Sequence, residues 1–271
     1  MSSSASSEQI NTLLDLMRML RDPETGCAWD KKQTFATIAP YTLEETYEVI
    51  DAIERLDYSD LKGELGDLLF QVVFYSQMAK EQNLFDFNDV CQSINDKLIR
   101  RHPHVFATQV SDSIENINDR WETIKRQERA NKAQHSVLDD IPYSLPALMR
   151  AYKIQKRCAS VGFDWSELAP VLAKVHEEIT EVTDELNQPM IDEQKVAEEL
   201  GDLLFATVNL SRHLGHKAES VLQLANKKFE RRFRQVESLA TQQGKSLKEM
   251  TLDEMDVIWD TVKQEERANS K

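Results

Sequence analysis

Apolar residues recur every three to four positions along nearly the whole chain, the period of helices that bury one face. Ile10 to Arg21 carries such a stripe, which Asp22-Pro23 and Gly26 terminate. Pro40 and Thr42 open a second helix, and Ser59-Asp60 a third that reaches about Asn83. A fourth covers roughly Phe87 to Arg101 and is stopped by His102-Pro103; a fifth, about Ser113 to Ala130, carries Trp121 and Lys125. Residues 131–146 lose the period and contain two prolines, so they read as a linker. The order then repeats. A helix from Pro146 to Ser160 leads into the loop VGFDW, two further helices, the basic helix NKKFERRFRQVE, and a last helix from about Leu252 with Trp259 and Lys263. With no alternating strand pattern, the expected fold is all-α. It consists of two tandem duplicated helical domains, 10–130 and 147–271, behind a loose Ser-rich tail at 1–9.

The copies agree most closely in one stretch. TLEETYEVIDAI followed by LKGELGDLLF in the first matches KVHEEITEV followed by VAEELGDLLF in the second. Each is a Glu-Glu-x-x-Glu helix and then a Glu-x-x-Asp helix, with 15 residues between the groups in the first copy and 17 in the second. At about 100° per residue, Leu172, Val175, Ile179, Val182 and Leu186 fall on one stripe. Lys174, Glu178, Glu181 and Glu185 lie beside it, and Glu177 points further out. On the following helix Val196, Leu200, Leu203, Leu204 and Thr207 make the stripe, edged by Glu199 and Asp202. A short connection makes the helices antiparallel neighbours. Glu178, Glu181, Glu199 and Asp202 can then rim one groove, as Glu45, Glu48, Glu64 and Asp67 can in the first copy. Two like charges about 4 Å apart repel by about 1 kcal/mol in water and about 4 kcal/mol when partly buried. Four carboxylates in a groove therefore call for a cation. A lone Glu-x-x-Glu is most often a solvated helix surface, but that does not explain its duplication before GDLLF. An all-oxygen ligand set favours Mg²⁺ or Mn²⁺ over zinc.

Charge and cysteine content narrow the partners. A net charge of −14 and a pI of about 5.0 argue against a nucleic-acid backbone or an anionic membrane as the main partner. They do not argue against a nucleotide, because bound cations reverse the local sign of an acidic site. Cys27, Cys91 and Cys158 are odd in number and form no C-x-x-C, as free thiols of a reducing compartment do. The N-terminus lacks the basic start and apolar core of a signal peptide, and no apolar run approaches the roughly 20 residues of a membrane span. A soluble cytoplasmic protein is expected. Lys228, Arg231 and Arg232 share one helix face and recur as Lys97, Arg100 and Arg101. They could hold phosphate oxygens or pair with nearby glutamates. Trp259 with Lys263 could stack on a base and reach a phosphate, or pack in a core. Gly244-Lys245-Ser246 lacks the earlier glycine of a phosphate loop, and none of the six histidines completes a Glu-x-x-His di-iron motif.

On these residues the sequence resembles a known family. EExxE followed by ExxD on paired helices resembles the all-α nucleoside triphosphate pyrophosphohydrolases. With TFATIAPYTLEETYEV, GELGDLLFQVVF, RRHPHVF, SLPALMRAYKIQKR and VGFDW, nearly the whole chain closely resembles the two-domain bacterial MazG proteins. The resemblance implies hydrolysis of nucleoside triphosphates to a monophosphate and pyrophosphate, with a role in clearing surplus or aberrant nucleotides. The family's metal ligands fall on Glu178, Glu181, Glu199 and Asp202. Its phosphate-binding residues fall on Lys228, Arg231 and Arg232. The resemblance also implies a homodimer whose paired helices complete four-helix bundles. Two rival readings are a non-catalytic nucleotide- or protein-binding scaffold and a narrower dUTP or phosphoribosyl-ATP hydrolase. Between the copies, the second is expected to do the chemistry. Thr42-x-x-Glu45 fits a capping box that would give Glu45 a structural role, whereas Ser166 and Pro170 start the later helix about two turns before Glu178. Lys174 lies one turn before Glu178. The candidates of the first copy are Glu45, Glu48, Glu64, Asp67, Lys97, Arg100, Arg101, Trp121 and Lys125.

Overall fold

A computed structural model describes residues 2–106, 124, 128 and 136–269, with backbone alone for 2–7 and 269. No strand occurs among the described residues. The chain divides into two compact units, residues 1–128 and 129–271.

In the first unit α1 (Ser2–Leu20) precedes α2 (Phe35–Glu54), α3 (Tyr58–Glu81), α4 (Phe87–Arg101) and the single turn α5 (Pro103–Phe106). Short polar residues start the helices by accepting backbone N–H groups that would otherwise be unpaired. Asp57 accepts from Ser59 and Asp60 at the head of α3, and Asp86 accepts from Asn88 and Asp89 at the head of α4. Helices α2 and α3 pack against each other along their length, and α1 lies on α3. Met17, Ile38, Val73, Phe74 and Met78 form the core, flanked by Leu13, Leu14, Phe35 and Phe70. Arg21 grips Glu81 with Nε and a terminal nitrogen at 2.9 and 2.7 Å, which ties the end of α1 to α3.

The second unit repeats the plan with α6 (Ala147–Ala159), α7 (Leu168–Leu186), α8 (Glu193–His213), α9 (Ala218–Gln242) and α10 (Leu252–Asn269). Helices α7 and α8 form the matching antiparallel pair, and α6 lies on α8 as α1 does on α3. Val236, Ala240, Met250, Ile258 and Val262 seal α9 to α10 in a separate apolar cluster. A smaller one, Ala151, Val208 and Ala218, joins α6, α8 and α9.

Two local expectations are corrected. Residues 2–9 continue α1 where a loose tail was expected, since no Pro or Gly stops the helix upstream of its anchored part. The first carboxylate helix begins at Phe35 and not at Pro40-Thr42. Thr34 caps it, and Thr37 returns the bond to the Thr34 N–H. Phe35 and Ile38 are anchored in the core, so the helix starts early and carries Pro40 inside it. Thr42 bonds Tyr75 Oη at 2.9 Å and is no cap. Glu45 therefore serves no cap. It is the eleventh residue of α2, as Glu178 is the eleventh of α7. Of the expected fifth helix only residues 124 and 128 are described; Trp121 and Lys125 lie outside the described residues.

Phe74 is 1% exposed at the centre of the α1–α3 seam. Phe74→Ala is expected to cost about 3–5 kcal/mol of unfolding free energy in urea. A loss under about 1 kcal/mol would show that this core is not packed as described.

Candidate functional site

Pairing α7 with α8 has an electrostatic consequence. Val171 on α7, together with Ala206 and Val208 on α8, is buried at or near the seam, and the carboxylates further along the two helices face each other along its rim. One ligand oxygen from each of Glu178, Glu199 and Asp202 lies within 4.8 Å of the others. Glu178 is 3% exposed, an unusual position for a glutamate. Its neighbour Lys174 explains how the charge is tolerated: Nζ lies 2.7 Å from both Glu177 Oε1 and Glu178 Oε1. Hydrogen bonds to Glu177 and then Glu178 hold the Lys174 ammonium above its ordinary pKa. Glu181 belongs to the same cluster. Desolvation, a hydrogen bond with Glu178, and the charges of Glu178 and Glu199 raise its pKa.

The first domain builds a parallel cluster with different neighbours. Glu45, Glu48 and Glu64 bring ligand oxygens within 4.8 Å of one another. Desolvation and then the charges of Asp67 and Glu48 raise the Glu45 pKa. Desolvation and Glu48 raise that of Glu64. Tyr41 stands where Lys174 stands in the second copy, so no ammonium enters at that position. Gln71 Nε2 approaches Glu45 at 3.4 Å instead.

Beside the second cluster a cavity of about 630 Å³ opens between α6, α7, α8 and the VGFDW loop. Lys174, Glu178 and Asp202 form one wall; Phe163, Trp165 and Phe205 supply aromatic surface. Gly162, in the left-handed region at φ 88°, lets the chain turn out of α6 and aim the loop at this space. Asp164 accepts from Arg212 at 2.6 Å and pairs with His213 Nε2 at 2.9 Å. Burial alone would raise the Asp164 pKa, but those two partners outweigh it and hold it low. Aligning the two GDLLF runs places Phe74 opposite Asn209 and Gln71 opposite Ala206. The large side chains fill the first domain where smaller or polar ones leave room in the second.

The basic candidates stand apart from this cavity. None of Lys228, Arg231, Arg232, Trp259 and Lys263 lines it. Arg231 and Arg232 both bond Glu266 of α10, at 2.9 and 2.8 Å. Arg100 and Arg101 bond Glu128 in the same way. The Arg232 guanidinium lies 5.9 Å from the Trp259 ring centre, and Trp259 also packs on Phe229. Lys263 bonds Asp260, while Lys228 on α9 and Lys97 on α4 are exposed. Gln155, Asp164, Asn209 and Arg212 escaped the reading of the sequence. The signal for one of them was present: Asn209 is a polar residue at a helix position where the other copy has Phe.

The raised pKa of Glu181 has a definite sign. A carboxyl with a folded-state pKa above its unfolded value stabilises the fold as pH falls through the folded value, and its repulsion is fully present above it. Without divalent metal at pH 7, Glu181→Gln is therefore expected to raise Tm. The gap from wild type should shrink as the pH is lowered and the wild-type carboxyl takes up its proton. Mg²⁺ should raise the wild-type Tm more than that of the variant. Differential scanning calorimetry with and without Mg²⁺ reads all three, and a metal-free Glu181→Gln Tm below wild type would contradict the shared-charge geometry.

The comparisons with known proteins agree with this architecture. The family profile of the MazG nucleotide pyrophosphohydrolase domain matches twice, at residues 33–106 and 167–237. The chain is 64% identical over 258 residues to the nucleoside triphosphate pyrophosphohydrolase of Escherichia coli K12, covering 95% of this chain and 98% of that protein. It is 42% identical over 251 residues to the nucleoside triphosphate pyrophosphohydrolase/pyrophosphatase MazG of Thermotoga maritima, covering 93% and 94%. It is also 39% identical over 259 residues to YabN of Bacillus subtilis, covering 96% of this chain and 52% of that protein. Two copies of the paired carboxylate helices, two profile matches and full-length relatives lead to one assignment: the chain belongs to the MazG family.

Proposed function

We propose that this protein hydrolyses nucleoside triphosphates between the α and β phosphates, releasing a nucleoside monophosphate and pyrophosphate, and that the second domain does so. The observation that carries this reading is the shared wall: Glu178 and Asp202 belong both to the carboxylate cluster and to the cavity, and Lys174, bonded to Glu178, lines the cavity beside them. A base and ribose in the cavity would leave their phosphates at the cluster. The relatives of matching length are named for this activity. The role is nucleotide-pool maintenance in the cytoplasm.

Glu178, Glu199 and Asp202, with Glu181 beside them, fit a hard divalent cation, because they offer only oxygen and repel one another without one. Bound Mg²⁺ or Mn²⁺ would supply the positive charge that triphosphate cleavage needs. The chain's own residues do the rest. Lys174 adds a fixed ammonium at the inner end of the cluster. The aromatic side of the cavity excludes water from the base, and a carboxylate of the cluster takes the proton of the attacking water. Lys228, Arg231 and Arg232 are proposed phosphate ligands. They reach phosphate by exchanging Glu266 for it, or from another copy of the chain. Trp259 and Lys263 accompany them.

A homodimer is part of the proposal. Leu172, Ile179 and Leu186 repeat every seven residues along α7, and Leu200 and Leu204 lie on α8; Ile179 is 46% exposed and Leu204 53%. Two antiparallel helices cannot cover both apolar sides, and a second copy would complete a four-helix bundle.

Phosphorus NMR of a triphosphate panel with Mg²⁺ is expected to show monophosphate and pyrophosphate, and EDTA to stop the reaction. Orthophosphate and diphosphate as first products would refute the cleavage position. Glu178→Ala should lower kcat by at least about a hundredfold. Glu45→Ala, with no cap to lose and a cluster partly filled by Gln71, should leave kcat within about twofold. Equal losses in both would mean two working sites. Light scattering at micromolar concentration should give twice the 31.3 kDa chain mass, and a stable monomer would refute the dimer.

A further inference from the structure

We infer that Asn209 and Gln155 read the hydrogen-bonding edge of the nucleobase, so that the second domain selects nucleotides whose base presents a donor beside an acceptor. The inference rests on the proposed nucleotide site and names what its inner end recognises.

Both side chains line the cavity at the seam of α6 and α8, and both are buried, at 7% exposure for Gln155 and 8% for Asn209. Each amide has one half committed and the other half without a partner. Asn209 Oδ1 accepts from Arg212 Nε at 3.1 Å and from a terminal Arg212 nitrogen at 2.8 Å. Asp164 fixes that guanidinium in turn. This orientation leaves the Asn209 Nδ2 hydrogens unbonded among the described residues. Gln155 is committed the other way. Its Nε2 donates to the Phe205 carbonyl at 2.8 Å, and its Oε1 is buried with no partner. Swapping oxygen and nitrogen in Gln155 would set two oxygens against each other, so the assignment follows from the contact. Phe205 and Asn209 are four residues apart on α8, so the two amides meet this helix on neighbouring turns of one face.

A buried polar atom without a partner is unfavourable, and the duplication shows that the fold does not require these amides. In each domain a loop N–H bonds a carbonyl at the end of the first helix, Cys27 to Leu20 and Phe163 to Cys158. Counting three residues back from those carbonyls places Met17 opposite Gln155, and the GDLLF alignment places Phe74 opposite Asn209. Met17 and Phe74 pack in one apolar cluster, at 0% and 1% exposure. The first domain thus puts hydrocarbon at both of these positions and turns its own buried amide, Gln71, toward Glu45, whereas the second keeps a donor and an acceptor facing a cavity. Every common base offers the complement: an amino group beside a bare ring nitrogen, or a carbonyl beside a ring N–H. Phe163, Trp165 and Phe205 offer apolar surface for the ring faces.

The test uses α,β-methylene triphosphates, which cannot be cut at the proposed bond, so binding is read independently of turnover. Calorimetry compares the adenosine analogue with the analogue of unsubstituted purine riboside, which lacks the amino group. Wild type is expected to bind the unsubstituted purine about tenfold more weakly. Asn209→Asp keeps the oxygens that Arg212 needs and removes the donor; Gln155→Leu removes the acceptor. Each variant, with its fold checked by circular dichroism, should bring the two analogues to within about twofold, while affinity for inorganic pyrophosphate stays unchanged. A wild type that binds both equally, or a variant that keeps the tenfold ratio, overturns the inference. Pyrophosphate release from ATP by wild type tests the activity separately, so loss of base reading and absence of hydrolysis are told apart.

Discussion

The repulsion among carboxylates along the α7–α8 seam is the constraint on which the second domain depends. Packing of apolar side chains brings two helices together, and the same packing forces Glu178, Glu199 and Asp202 into one small volume. Glu178 is the most demanding of them, because it is buried as well as crowded. Lys174 meets part of that demand from one turn away on the same helix. The remaining negative charge is the physical basis of the divalent cation proposed at this seam.

Duplication separates what the scaffold needs from what a site needs. Both domains keep the paired helices, the carboxylates and an Arg–Arg–Glu tie, Glu128 in the first and Glu266 in the second. They differ in the interior behind the carboxylates. Met17 and Phe74 make the first domain solid at a place where Gln155, Asn209 and Ala206 leave the second hollow and partly polar. A solid core favours stability, since filled space gains dispersion contacts. A hollow one gives up those contacts for room to hold a ligand. The two copies therefore read as one fold with two uses of its interior.

The apolar residues that remain outside, among them Ile179 and Leu204, extend the same logic to the surface. The α7–α8 pair uses one side for the core of its own domain and leaves the other exposed, which is the face the proposed second copy would cover.

The helical class, the duplication and the acidic pairs were determined by sequence alone, because each depends on local period and on residues close together in the chain. Glu178 and Glu181 share a helix face at a spacing of three, and that holds in any helix. The resemblance of the EExxE and ExxD helices to the MazG proteins was legible for the same reason. Tertiary structure decided the rest. The start of α2 at Thr34 depended on Phe35 and Ile38 finding Met17 and Phe74, a long-range contact that overrode the local signal of Pro40 and Thr42. With that, the apparent capping role of Glu45 vanished. The separation of Arg231 and Arg232 from the cavity depended on where α10 brings Glu266. Gln155 was invisible as a site residue because its partner, the Phe205 carbonyl, is fifty residues away in the chain and is a backbone atom that no sequence pattern marks.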